Sequence, residues 1–192
     1  QEALLQGRAG TVMRAISILD TALWDLNART AGLPLHKYLG AVNADKVPAY
    51  ASGGYYVEGK TPDDLAAEMA HYVSLGFKAV KLKTGRGTPA QEEDRLRAVR
   101  ERVGFDIEVM LDANNAWSDV TEALQTVKRI EKYAPSFIEE PFSPDDIDSH
   151  ARLARATSIP VATGEIEAGR WRHKELLDKG GAAILQTDAL VC

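Results

Sequence analysis

The sequence predicts an α/β protein built on a parallel sheet. Strand-like segments alternate with amphipathic helical segments over most of the 192 residues. A charged residue stands at the end of each strand segment after the first. Successive ones lie roughly 23 to 29 residues apart, which is the length of a strand, a helix and two short loops. These charged residues are Lys81 and Lys83, Asp112, Glu139, Glu165 and Asp188.

Residues 1–46 are predicted to form a helical lead-in to the sheet. Between residues 11 and 29, apolar side chains recur at the spacing of one amphipathic helix. Gly32 and Pro34 follow and are expected to end this helix. The remaining residues, 47–192, are assigned to a single catalytic domain.

Apolar runs and helix-capping residues predict the element boundaries. Strands are expected at residues 47–52, 77–83, 107–111, 137–139, 159–163 and 182–186. Thr61 and Thr88 each precede a proline, as N-cap residues often do, and Gln91 can complete a capping box with Thr88. Further helices are expected to begin at Ser118 and at Ser143, where the cap pattern recurs, and to cover residues 169–178.

Two architectures fit six parallel strands joined by helices. One is an open, doubly wound sheet, and the other is a (β/α)8 barrel of which about six strands are present. Residues two apart on a strand share a face. Lys81 and Lys83 are therefore expected on one face of their strand, and Glu165 on the same face as Val161. Charged ends on five different strands favour the barrel, because a doubly wound sheet gathers its functional groups mostly at one switch point.

Composition argues against several classes of partner. The net charge is −5 and the basic residues are scattered, so we expect neither nucleic acid nor an anionic membrane as partner. No apolar run is long enough to cross a bilayer, and the N-terminus has no basic-then-apolar signal pattern. The single cysteine, Cys192, rules out an intrachain disulfide. We therefore expect a cytoplasmic protein.

Three carboxylates on three successive strands predict a metal site. Asp112, Glu139 and Glu165 would repel one another or take up protons if they met without a counter-ion. A hard cation such as Mg²⁺ prefers oxygen ligands and keeps positions open for water or substrate. The alternative is that each carboxylate caps a helix or forms a surface ion pair. The arrangement of all three at strand ends favours the metal.

Lys81 and Lys83 are candidates for acid–base chemistry. Each ammonium should lower the pKa of the other, and burial should lower both pKa values further. One lysine could then act as a general base while the other binds an anionic substrate. Beside Mg²⁺, such a base could remove the proton on the carbon next to a carboxylate. Residues 52–56 could contact substrate, but an ordinary glycine turn explains them better. Residues 85–87 could bind phosphate, but the motif is too short to support that interpretation.

The ordered motifs resemble the enolase superfamily, in its mandelate racemase subgroup. The matching segments are 22–26, 80–83, 111–114, 137–141, 163–165 and 186–188. The resemblance implies Mg²⁺ held by Asp112, Glu139 and Glu165, with Lys83 as the base and Lys81 near the substrate carboxylate. It also implies a polar role for Asn114 beside the first metal ligand and a supporting role for Glu140. Asp188 is similar to the aspartate that orients a catalytic histidine on the following strand.

The resemblance implies a lyase. Glu165 and Asp188 are typical of the racemase and acid-sugar dehydratase relatives rather than the muconate-lactonizing ones. We therefore expect a sugar acid, an aldonate or aldarate, to lose water and give a 2-keto-3-deoxy acid. A racemase or epimerase with the same enediolate intermediate is one alternative, and a non-catalytic barrel remnant is another. The family's N-terminal capping domain, the last two barrel strands and the catalytic histidine are expected to be absent, and a homo-oligomer is expected.

Overall fold

The computed structural model describes residues 7, 9–41 and 46–191. These fall into two compact units. The first comprises Gln1–Pro48, Gly164–His173 and Thr187–Cys192, and the second comprises Ala49–Thr163 and Lys174–Gln186. The predicted sheet belongs to the second unit.

The first unit contains helix α1 (Thr11–Thr30) and the short helix α2 (Leu35–Tyr38). The bounds of α1 confirm the predicted helix, whereas α2 was not predicted. The Trp24 ring meets the Tyr38 ring edge-on, with centroids 6.0 Å apart. The apolar stripe of α1 is largely exposed, since Leu19 is 66% and Leu23 57% exposed.

Strands alternate with helices from residue 51 onward. In chain order these elements are β1 (Ala51–Gly53), α3 (Pro62–Ser74), β2 (Ala79–Lys83), α4 (Pro89–Val103), β3 (Glu108–Asp112), α5 (Val120–Ile130), a 3₁₀ turn (Glu131–Tyr133), β4 (Ile138–Glu139), α6 (Ile147–Ala156), β5 (Val161–Thr163), α7 (Arg170–Lys179) and β6 (Ile184–Leu185). All belong to the second unit except residues 170–173 of α7, which belong to the first. Every predicted strand and helix is present, although the strands are mostly shorter than predicted.

The six strands form one sheet in the order β1-β2-β3-β4-β5-β6, and every neighbouring pair is parallel. This confirms the predicted α/β class. A doubly wound sheet reverses its strand order at a switch point, whereas a sector of a (β/α)8 barrel runs in sequence order throughout. The observed order is therefore that of the barrel.

The two faces of the sheet bury different residues. One face packs against the helices in the main core, which includes Val80, Leu111 and Val161 from the strands. The other face carries a smaller apolar cluster of Met110, Phe137 and Ala162. The charged side chains of β2 and β3 alternate with the main-core residues, so they lie on the second face.

Two of the predicted helix starts are confirmed in detail. Thr61 and Thr88 each accept a hydrogen bond from the third residue of their helix, and Asp64 and Gln91 complete capping boxes. The other two predictions need correction. Asp119, not Ser118, caps α5, and Asp146 caps α6, so Ser143 lies outside that helix. In both cases an aspartate immediately before the first turn is available to accept from its free amides.

The side-chain alternation expected for β5 is also wrong for Glu165. The strand ends at Thr163. Val161 belongs to the helix-facing core, while Ala162 packs on the opposite face. Gly164 has a φ of 121°, so the chain leaves the extended conformation before Glu165. Strand parity therefore does not determine which way this carboxylate points. β6 likewise ends at Leu185, three residues before Asp188.

In the part of the chain that the structure describes, no helix is both long and apolar enough to cross a bilayer.

Arg100 joins the loops that lead into β3 and β4. Its guanidinium donates to four backbone carbonyls, those of Tyr133 (2.7 Å), Gly104 (3.0 Å), Ile107 (2.6 Å) and Ala134 (2.8 Å). The residue is 5% exposed. Burial lowers its pKa below the ordinary value, but an arginine at such a value remains charged.

Replacing Arg100 with methionine should destabilise the protein by about 3 kcal/mol, because buried carbonyls lose a charged donor. Urea unfolding of the intact protein measures this loss. Arg97→Met is the matched control on the same helix. The Arg97 side chain is 50% exposed and pairs with Asp94 at the surface, so its loss should cost less than about 0.5 kcal/mol. Equal losses for the two variants would contradict the prediction.

Candidate active site

Three of the predicted site residues end three adjacent strands. Lys83 is the last residue of β2, Asp112 of β3 and Glu139 of β4. The strand register pairs Lys83 with Asp112 and Asp112 with Glu139. Because the strands are parallel, their carboxyl ends lie at the same edge of the sheet, where barrel enzymes carry their active sites.

Charges of opposite sign alternate along this edge. Lys81 Nζ lies 2.5 Å from Glu139 Oε2 and 3.8 Å from Asp112 Oδ2. Lys83 Nζ lies 2.6 Å from the same Asp112 oxygen. The two carboxylate residues are only 3% and 2% exposed. We call these four residues, Lys81, Lys83, Asp112 and Glu139, the charge cluster. Its two ammonium groups balance its two carboxylates.

The pKa of Lys81 differs from the sequence-based expectation. Burial lowers this pKa, but the hydrogen bond and negative charge of Glu139, followed by the charge of Asp112, outweigh burial and raise the pKa above the ordinary lysine value. The expected decrease rested on a neighbouring ammonium and on burial, and both of those effects lower a lysine pKa. The two carboxylates that contact the same amine reverse the direction. Lys81 therefore holds its proton more firmly in this arrangement than an ordinary lysine does.

The two carboxylates suit a hard divalent cation. Asp112 Oδ2 and Glu139 Oε2 both contact the Lys81 ammonium, so their oxygens already converge on one positive charge. Carboxylate oxygens are the ligands that Mg²⁺ prefers. Among the described residues, no three His, Cys, Asp or Glu side chains gather closely enough to hold an ion. Glu165 is exposed and belongs to the first unit, so its role as the third ligand stays a prediction.

Strained backbone surrounds the charge cluster. Asn114, Asn115 and Glu140 have φ values of 44°, 59° and 43°, in the left-handed region that non-glycine residues rarely adopt. The Asn114 amide donates to Asp112 Oδ1 at 3.0 Å, and the Asn115 amide donates to the Glu140 carbonyl at 2.7 Å. The first bond is local to the turn after β3, and the second joins that turn to the segment after β4. Glu140 itself is buried.

Two tyrosines line the lysines, and sequence reasoning gave them too little weight. The Tyr50 ring centroid is 5.4 Å from Lys81 Nζ, and the Tyr55 ring centroid is 5.3 Å from Lys83 Nζ. A cavity of about 130 Å³ adjoins the cluster and is lined by residues that include Tyr55, Tyr56, Lys83, Arg86 and Asn114. Both loops that the sequence interpretation set aside, residues 52–56 and 85–87, therefore border this cavity. The paired aromatic residues Tyr55 and Tyr56 after β1 were the available signal for the second of these tyrosines, whereas Tyr50 precedes β1.

Asp188 lies outside the sheet, in a turn after β6. Its Oδ1 accepts a hydrogen bond from the Leu190 amide at 2.8 Å. This is an ordinary local contact of an aspartate with the backbone two residues on. The residue belongs to the first unit, and its predicted role in orienting a histidine stays a prediction.

Two family models match the chain. Residues 64–192 match the enolase C-terminal domain-like family. Residues 1–40 match the N-terminal domain of mandelate racemase and muconate lactonizing enzyme. The second match corrects one expectation, since part of the sequence of the N-terminal domain is present in the segment interpreted as a lead-in helix.

Known proteins resemble the chain over nearly its whole length. It is 41% identical to an arabinonate dehydratase of Saccharolobus solfataricus, over 96% of this chain and 49% of that protein. The structure of a 3,6-anhydro-D-galactonate cycloisomerase from Zobellia galactanivorans superposes with a TM-score of 0.91 at 35% identity, covering 99% of this chain and 52% of the other.

A third similar protein is the L-talarate dehydratase of Polaromonas sp. JS666, in a crystal structure with Mg and L-glucarate. It has a TM-score of 0.88 at 34% identity and covers 98% of this chain and 52% of the other. The chain thus spans about half the length of the relatives it matches. From the family models, the sheet order and these relatives, we conclude that the chain belongs to the enolase superfamily, in its mandelate racemase subgroup.

Proposed function

We propose that the intact protein is a Mg²⁺-dependent sugar-acid dehydratase whose proton-abstracting residues lie in this chain. The observation that carries the proposal is the charge cluster, in which Lys81, Asp112 and Glu139 are buried and Lys83 is half-buried at or near the ends of adjacent strands. A cluster of this kind is costly to assemble, and its position at the carboxyl ends of barrel strands is that of an active site.

Asp112 and Glu139 would hold the cation, with Glu165 as the proposed third ligand. When bound, Mg²⁺ would neutralise the charge of a substrate carboxylate and of the enediolate that forms from it. The converging carboxylate oxygens support this assignment. A similar structure, that of a dehydratase crystallised with Mg and L-glucarate, also supports the assignment of a magnesium site.

Lys83 is proposed as the general base and Lys81 as the cation that binds the substrate carboxylate. In its neutral form, the Lys83 amine would take the proton from C2, and the electron pair would remain on the substrate as an enediolate. The hydroxyl at C3 would then leave as water after receiving a proton, and the enol would tautomerise to a 2-keto-3-deoxy acid. Lys81 is charged and lies against both carboxylates, which suits the binding of an anion.

The substrate is proposed to be a small hydroxylated carboxylate, since the similar proteins are named as dehydratases and cycloisomerases of sugar acids. Asp188 is proposed to orient an acid–base histidine elsewhere in the intact protein. A cytoplasmic location and a homo-oligomeric state remain predictions.

Replacing Lys83 with alanine should abolish exchange of the C2 proton with solvent deuterium, with a loss of about 10² to 10⁴-fold. The measurement is proton NMR of mono- and diacid sugars incubated with the intact protein in D₂O. Lys78→Ala is the matched control, because Lys78 is exposed just before the same strand. Undiminished exchange by Lys83→Ala with every active substrate would remove Lys83 from the role of base.

The same incubations distinguish the reactions that share this first step. A 2-keto acid, detected as its semicarbazone, should form from at least one sugar acid and identify a dehydratase. Exchange at C2 with inversion of configuration and no water loss would instead identify a racemase or epimerase.

Mg²⁺ should bind the intact protein, and Glu139→Gln should weaken binding at least about 10-fold because a charged ligand is lost. Isothermal titration calorimetry measures this affinity. Glu108→Gln is the control, since Glu108 is an exposed carboxylate at the opposite end of β3. Binding that is absent, or equal in the two variants, would favour the non-catalytic barrel remnant.

A further inference from the structure

A buried arginine ties the end of β1 to the end of β2. The Arg95 Nη2 atom donates to the Gly54 carbonyl at 3.2 Å and to the Lys83 carbonyl at 3.1 Å. Arg95 is 8% exposed and projects from α4. One side chain therefore holds the backbone of the proposed base and the backbone of the loop that follows the neighbouring strand.

Arg95 is itself held on two sides. Its Nε lies 3.5 Å from Glu92 Oε2, one helical turn earlier, and Glu92 is 2% exposed. Its guanidinium carbon lies 4.1 Å from the centroid of the Tyr56 ring. The stacked ring and the buried carboxylate restrict the guanidinium in position and in orientation.

Glu92 connects the same two loops a second time. Its Oε1 accepts from the Tyr56 hydroxyl at 2.5 Å and from the Gly87 amide at 2.6 Å. Its Oε2 accepts from the Thr84 hydroxyl at 3.2 Å. Tyr56 belongs to the loop after β1, whereas Thr84 and Gly87 belong to the loop after β2.

Packing alone does not explain this network. A buried ion pair costs desolvation energy, and apolar residues of the same volume often fill such a space with equal or greater stability. The network instead fixes particular backbone atoms beside the charge cluster. The loop it holds also carries Tyr55, whose ring centroid is 5.3 Å from Lys83 Nζ.

We propose that Arg95, held by Glu92 and Tyr56, is a positioning residue that sets the location of the Lys83 amine relative to the substrate. It contacts the Lys83 carbonyl and not the reacting atoms, so it is not itself catalytic. This inference rests on the proposed function in assigning Lys83 as the base, but the positioning can also be measured without catalysis.

Arg95→Lys keeps the charge but loses the planar group that reaches both carbonyls. In the intact protein it should lower kcat by up to about 10²-fold, the scale of a displaced catalytic group, while KM changes little. The isotope effect with substrate deuterated at C2 should rise, because proton removal becomes slower than the other steps.

Arg100→Lys is the matched control. Arg100 is a second buried arginine of α4, and its acceptors among the described residues are four backbone carbonyls at the opposite end of the strands. It should lose stability but keep the kcat and the isotope effect of the unchanged protein. If Arg95→Lys does not fold, Tyr56→Phe loosens the same network more gently and should change kcat and the isotope effect in the same direction.

Reductive methylation tests the positioning without any substrate. Peptide mass spectrometry compares the labelling of Lys83 with that of exposed Lys78 in each variant. Lys83 should react several-fold faster in Arg95→Lys than in the unchanged protein, and Arg100→Lys should leave the ratio unaltered. An unaltered ratio in Arg95→Lys, with kcat loss no greater than in Arg100→Lys, would overturn the positioning role. No C2 exchange by the unchanged protein would instead overturn the proposed function, whatever the labelling shows.

Discussion

Two buried carboxylates can occupy neighbouring strand ends here only because two ammonium groups lie against them. Asp112 and Glu139 are almost fully buried, and each uncompensated charge would cost several kcal/mol. The strand register sets Lys83 directly beside Asp112, and Lys81, on the same face, reaches both carboxylates. The strained turns after β3 and β4 then hold the carboxylate-bearing strand ends together. The chemistry of the site depends on this electrostatic balance.

The two ends of the sheet serve different purposes, as in other barrels. Helix α4 illustrates the division, since it carries one buried arginine at each end of the sheet. Arg100 satisfies carbonyls where β3 and β4 begin, and no proposed catalytic residue lies there. Arg95 satisfies carbonyls where β1 and β2 end, one of them that of Lys83. The same type of interaction thus supports stability at one end and site geometry at the other.

Sequence patterns predicted those features that depend on local or repeated signals. Thr61 and Thr88 cap helices as expected because proline and capping-box partners act within one helical turn. Lys83, Asp112 and Glu139 end their strands as expected because parallel strands with helical crossovers repeat at a fixed length. The predicted face of Glu165 was wrong because strand alternation applies only to extended backbone. Gly164 leaves the extended conformation just before this residue. The raised pKa of Lys81 and the Arg95 network depend on contacts between distant segments, which no local pattern reveals.

Anomalous diffraction from crystals of the intact protein soaked in Mn²⁺, which replaces Mg²⁺ and has a strong anomalous signal, tests the proposed metal site most directly. We expect one strong anomalous peak in contact with the carboxylates of Asp112 and Glu139, with the Lys83 amine facing the adjoining cavity. A metal bound elsewhere, with Lys81 still lying between the two carboxylates, would contradict this expectation.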